Sequence, residues 1–119
     1  MLLGLRTVIY PAKDLDAAKV WFTQLTGAAP YFDQPFYVGF NVAGYELGLL
    51  PADDPDGDAE ATTYWGCADI DAEVRRVAAL GATLASAIKD VGEGIKVAVV
   101  VSPMGDRIGL IEKPHFQLP

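Results

Sequence analysis

Apolar and polar positions alternate along this chain in short stretches, and each change of period marks an element. Leu5-Arg6-Thr7-Val8-Ile9-Tyr10 is largely apolar, β-branched in its middle and stopped by Pro11, which predicts a strand. After Asp14 the period lengthens. Leu15, Ala18, Trp21, Phe22 and Leu25 recur at helical spacing, with Asp14 as N-cap, Asp16 in the positive first turn and Gly27 as terminator. The spacing predicts a helix that lays this whole stripe, Trp21 and Phe22 included, on a sheet. Residues 28–32 read as a short strand or extended loop interrupted by Pro30. Residues 36–42 alternate as a strand does, and Gly44 turns the chain into another at 45–50. The same succession then returns. Residues 62–67 read as a strand, and Asp69 caps a helix that buries Ile70, Val74 and Val77 and ends at Gly81. A weak strand at 83–88, a flexible loop at 91–94, a valine-rich strand at 95–101, a turn at 103–106 and a last strand at 107–111 complete the pattern.

The return is a repeat of residues as well as of periods. Gly44-Tyr45-Glu46-Leu47-Gly48-Leu49-Leu50 reappears as Gly105-Asp106-Arg107-Ile108-Gly109-Leu110-Ile111, at an offset of 61. Asp14-Leu15-Asp16-Ala17-Ala18 reappears as Asp69-Ile70-Asp71-Ala72-Glu73, at an offset of 55. A repeating unit of this length is a module of several elements rather than a solenoid step. The predicted class is α+β, with two β-α-β-β-β modules forming one curved mixed sheet and the helices on its convex side. Module 1 covers about 1–51, an acidic linker 52–60 and module 2 61–113, within a single domain. Alternation predicts Thr7, Ile9, Tyr37, Gly39, Asn41, Glu46, Gly48, Leu50, Thr62, Tyr64, Ala98, Arg107 and Gly109 on the concave side. Val8, Leu47, Leu49, Val97, Val99, Val101, Ile108 and Leu110 are then predicted to face the helices.

Composition narrows the function. With 119 residues, 51% of them hydrophobic, the chain suits one domain with a substantial core. A net charge of −7 opposes a nucleic-acid partner, which requires clustered cations, and suits a cationic ligand. No apolar run reaches 18 residues and the first residues lack a signal-like pattern, so the expectation is a cytoplasmic protein with no membrane partner. The single cysteine, Cys67, lies in an apolar run and reads as a buried, inert thiol. Asp54, Asp56 and Asp58 resemble the start of a calcium loop, but the glycine falls at the wrong step and Trp65 stands where the closing Glu belongs. The run reads as a solvated connector. His115, between Pro114 and Pro119, has no partners at ligand spacing and reads as a surface side chain.

The strand before Asp14-Leu15-Asp16, the run Ala68-Asp69-Ile70-Asp71 leading to Gly81-Ala82, and Ser102-Pro103-Met104-Gly105-Asp106-Arg107-Ile108-Gly109-Leu110-Ile111-Glu112 together resemble the vicinal oxygen chelate superfamily. That group includes glyoxalase I, extradiol dioxygenases, and the fosfomycin and bleomycin resistance proteins. The resemblance implies four metal-ligand places, which fall on Thr7, near Gly48 with Glu46 two residues away, on Thr62 and on Gly109. None of these four is an imidazole, carboxylate or thiolate, so neither a metal nor another cofactor is expected.

The leading expectation is a metal-free protein similar to bleomycin resistance proteins, sequestering a small organic ligand, cationic or aromatic, as a homodimer with pockets shared between subunits. Its expected ligand-binding residues are Thr7, Tyr37, Asn41, Glu46, Thr62, Tyr64 and Arg107, with Phe32 and Phe36 for stacking. No catalytic residue is assigned. Several readings stay open. Gly48 and Gly109 leave space for a ligand or mark a close backbone approach. Glu46 and Arg107, at equivalent steps of the repeat, pair across the cavity or sit at its rim. Tyr31, Phe32, Phe36 and Tyr37 clamp a flat ligand or belong to the core or a dimer contact. The alternative function is a lyase or isomerase with Glu46 or Tyr64 as general base and Arg107 stabilising an oxyanion. A third is an interaction module whose concave face is filled by its own side chains or by a partner.

Overall fold

Hydrogen bonding turns each copy of the repeat into the predicted β-α-β-β-β series. In the computed structural model, which describes residues 1–52 and 60–118, the first series is β1 (Gly4–Ala12), α1 (Leu15–Thr26), β2 (Phe32–Gln34), β3 (Tyr37–Val42) and β4 (Tyr45–Pro51). The second is β5 (Thr62–Gly66), α2 (Ile70–Ala79), β6 (Thr83–Gly92), β7 (Ile95–Val101) and β8 (Arg107–Glu112). Asp54, Asp56 and Asp58 lie outside the described residues. Two compact units result, one holding Thr7–Thr62 and the tail from Gln117, the other Met1–Arg6 and Thr63–Phe116.

In the first unit the strand order is β2-β3-β4-β1, with β1 and β4 parallel and the other neighbours antiparallel. The second unit has the order β5-β8-β7-β6, with β5 and β8 parallel and the others antiparallel. The register repeats too. Ile9 stands opposite Gly48, and Tyr64, at the same step of the repeat, stands opposite Gly109. The α+β, mixed-strand reading of a doubled module is therefore correct at the level of individual strand pairs.

The core of the first unit is Val38, Phe40 and Leu49, covered by Leu15, Ala18 and Phe22 of α1 together with Leu47. Asp14 caps α1 by accepting from the Ala17 amide at 3.0 Å, and Gly27 ends it at φ 75°. The predicted stripe is too wide, however. Trp21 is 56% exposed and Leu25 59%. At 100° per residue, Trp21 lies about a quarter turn from the Leu15-Ala18-Phe22 line, so it only touches the edge of the Phe22 ring, at 5.0 Å.

The second core gathers Cys67, Ile70, Ala98, Val100 and Leu110, with Val74, Val77, Ala82, Ile88 and Ile108 around it. Here β7 reverses the expectation. Ala98 and Val100 face α2, because the antiparallel register sets them opposite Leu110 and Ile108. Val99 and Val101 pair instead with Gly109 and Arg107. A strand that is nearly all valine carries no alternation from which its faces can be read. The weak strand predicted at 83–88 is also longer, since β6 runs to Gly92 through three register shifts. The expected loop contracts to a turn at Glu93 and Gly94, with φ of 56° and 76°. No described helix is long and apolar enough to cross a membrane.

Candidate functional site

The face of the first unit turned away from α1 carries the richest chemistry. β4 presents Glu46 on that face, and the strands on either side set Thr7 and Asn41 directly opposite it. Three polar side chains thus form one row across three strands. The next row, Gly39, Gly48 and Ile9, has two bare positions. Tyr37, two residues before Gly39 on the same face, leans over this glycine floor. A Cβ on Gly48 would meet the Tyr37 hydroxyl oxygen at 2.2 Å, and one on Gly39 would lie 3.1 and 3.2 Å from the Tyr31 and Tyr37 rings.

Both tyrosines point their hydroxyls at one carboxylate. Tyr31 donates to Glu46 Oε1 and Tyr37 donates to Glu46 Oε2. Such charge-assisted bonds hold the carboxylate in one orientation. Asn41 is itself fixed, its Oδ1 accepting from the Gly44 amide at 3.0 Å. Thr7 is only 4% exposed and its hydroxyl has no hydrogen-bond partner. At the edge of the sheet, Phe32 stands opposite Gly39 and contacts the Phe36 and Tyr37 rings, with centroids 6.0 Å apart in each case. Asn41, Ala43, Gly44, Gln117 and Leu118 line a shallow open depression of about 300 Å³ in the same unit.

The second unit repeats the plan with different chemistry. Tyr64 lies over Gly109, where a Cβ would come 2.4 Å from the tyrosine ring and 2.8 Å from the Thr63 carbonyl. Arg107 takes the step equivalent to Glu46 and is half-buried. Arg6 crosses Gly66, and its guanidinium sits 3.9 Å from the centre of the Phe116 ring. Glu73, predicted as nothing more than a helix residue, is 3% exposed. It accepts from Arg76 Nε and Nη2 at 3.1 and 2.7 Å and from the Met1 amino group at 2.8 Å. These bonds, the Arg76 ones above all, lower its pKa to about 2. Cys67 behaves oppositely. Burial, reinforced by the Glu73 charge, raises its thiol to about 11, which disfavours a nucleophilic thiolate.

Of the sequence-derived candidates, Thr7, Tyr37, Asn41 and Glu46 share one face of the first unit, and Phe32 and Phe36 adjoin Tyr37. Thr62 is buried at the end of the first unit's segment, while Tyr64 and Arg107 belong to the second unit. Tyr31 acquires a role beyond aromatic area, because its hydroxyl reaches a carboxylate 15 residues away. No spacing rule encodes that reach. Of the two readings left open for Gly48 and Gly109, open space directly over the glycines does not hold, since tyrosine rings already lie against both.

These positions do not fit the metal that the resemblance implies. Two of the four have no side chain and carry a tyrosine ring instead, and the other two offer neutral hydroxyls. Among the described residues, no group of three or more His, Cys, Asp or Glu converges to hold an ion.

No protein-family model matches the chain, and no curated protein sequence does. Solved structures do match. A methylmalonyl-CoA epimerase in complex with methylmalonyl-CoA and NH4+ superposes with a TM-score of 0.75 at 16% identity over 100% of both chains. The methylmalonyl-CoA epimerase from Mycobacterium tuberculosis gives 0.73 at 20% identity, over 93% of this chain and 88% of that one. A glyoxalase/bleomycin resistance protein/dioxygenase superfamily member from Vibrio splendidus 12B01 gives 0.66 at 19% identity, over 91% and 97%.

Proposed function

This chain has the vicinal oxygen chelate fold, and on that premise we propose that it is a metal-free protein that binds and sequesters a small organic molecule. The observation that carries the reading is the Glu46 carboxylate, oriented by the Tyr31 and Tyr37 hydroxyls above a glycine floor. An oriented carboxylate beside aromatic faces suits a cationic or aromatic guest, and the net charge of −7 favours the same sign of ligand. Thr7 and Asn41 extend the polar row, and Phe32 and Phe36 supply stacking area beside it. Thr62 is a further proposed contact of this unit, and Tyr64 and Arg107 are proposed contacts on the second unit, in a cytoplasmic homodimer.

The test is a thermal-shift panel of cationic and planar aromatic compounds against the wild type and Glu46→Gln. A saturable rise in Tm, reduced in the variant, is the expected result, and a flat response across the panel overturns the reading. Light scattering on the eluting protein checks the dimer.

A second reading rests on the same cluster. A carboxylate between two phenols can exchange a proton with a carbon acid, with Glu46 as general base. The epimerases of like fold make methylmalonyl-CoA the natural probe. Glu46-dependent uptake of solvent deuterium into that thioester would replace sequestration with isomerase chemistry.

A further inference from the structure

Thr7 is the one described residue of the polar row whose hydrogen-bonding capacity is unmet. A buried hydroxyl without a partner is costly in a free protein, and a group that donates to it or accepts from it on binding recovers that cost as affinity. Thr7 stands opposite Glu46 in the parallel β1 and β4 pairing, so its side chain points to the same face as the carboxylate. The carboxylate in turn is held by two hydroxyl protons, one on each oxygen.

We infer that Thr7 is a specificity-determining residue for ligands carrying a planar N–H cation, an amidinium or guanidinium on an aromatic ring, with one N–H donated to Thr7 and a second to Glu46. The inference rests on the small-molecule reading above and narrows it. Two features select this class. Thr7 is 4% exposed and its hydroxyl oxygen is buried, so a thin planar donor that slides in beside it suits the position and a bulky quaternary head does not. A forked planar donor also meets an oxygen of each of two neighbouring strands with its two N–H groups in fixed geometry, whereas a quaternary ammonium has no N–H to donate. The aromatic body then lies along the Tyr31 and Tyr37 rings that cover Gly39.

The experiment uses benzamidine, benzamide and trimethylphenylammonium as probes, titrated calorimetrically into wild type, Thr7→Val, Thr7→Ser and Glu46→Gln. Urea unfolding of each protein is measured without probe. Benzamidine is expected to bind the wild type and Thr7→Ser alike and to bind Thr7→Val about tenfold or more weakly. Probe-free Thr7→Val is expected to be at least as resistant to urea as the wild type, because it loses an unpartnered hydroxyl at nearly constant volume. A purely structural threonine would not separate affinity from stability in this way.

Unchanged benzamidine affinity in Thr7→Val overturns the inference, as does trimethylphenylammonium binding as tightly as benzamidine. A clear loss of urea resistance in probe-free Thr7→Val does so too, since it reveals an internal partner for the hydroxyl. If these probes fail while other compounds of the thermal-shift panel bind, the amidinium class is wrong and sequestration stands. If nothing in the wider panel binds, both fall.

Discussion

A glycine inside a strand usually weakens it, yet Gly48 and Gly109 sit on buried strands at equivalent steps of the repeat with tyrosine rings against them. A ring laid across a glycine shields the bare backbone from water and gains contact area, the device known from aromatic pairing in designed sheets. Substitution separates the two sites. At Gly48 the three nearest atoms all belong to the Tyr37 side chain, whereas at Gly109 the Thr63 carbonyl also stands 2.8 Å away. Gly48→Ala and Gly109→Ala should each lower stability by about 1–3 kcal/mol in urea unfolding, as overpacking does. In a Tyr37→Ala background the Gly48→Ala cost should nearly vanish. Combining Gly109→Ala with Tyr64→Ala should leave a residual cost, because a carbonyl cannot rotate away. Equal rescue at both sites would refute this account. From the residues alone, the glycines could be read as space for a ligand or as a close backbone approach, since a ring arriving from another strand is invisible in sequence.

At the scale of elements, helix ends were easier to read than helix faces. Asp14 and Asp69 cap α1 and α2 as their positions predict, accepting from the amides of Ala17 and Ala72 at 3.0 and 3.2 Å. A cap is local, made within four residues, so the sequence contains it whole. A face depends on what packs against it. Trp21 carries the largest apolar side chain of α1 but lies outside the buried line, whereas Phe22 packs on Val38, Phe40 and Leu49 and stacks at 5.5 Å on Tyr10. Chemical denaturation should accordingly show Phe22→Ala losing about 3 kcal/mol or more and Trp21→Ala under about 1. The reverse order would mean that α1 is rotated. In β7 the valine run hid the inward face, and only pairing with β8 revealed it as Ala98 and Val100.

For the whole molecule, acid stability should be dominated by a carboxylate that the sequence did not single out. The pKa of Glu73 is about 2 in the fold against an ordinary 4.5, chiefly because Arg76 donates to it. The folded value lies below the unfolded one, so the contribution is complete above about pH 5 and is lost as pH falls from there toward 2. It is on the order of 3 kcal/mol. Urea midpoints from pH 7 down to 2 should fall steeply in the wild type through that window, and Glu73→Gln should start lower at pH 7 and flatten the limb. A limb of unchanged slope in the variant would assign acid sensitivity to other groups.

What the chain determined on its own was the doubling, the α+β class, the order of strands and helices, and the absence of ligand-type residues at four places. All of these are written in short-range periods, caps and repeated residues. Tertiary structure alone decided that Tyr31 and Tyr37 converge on Glu46, that tyrosine rings lie over the strand glycines, that Thr7 is buried without a partner and that Glu73 is enclosed. Each joins residues from different elements. A side chain's partner across a sheet is set by strand register and packing, which depend on the sum of many weak contacts rather than on any local run of residues.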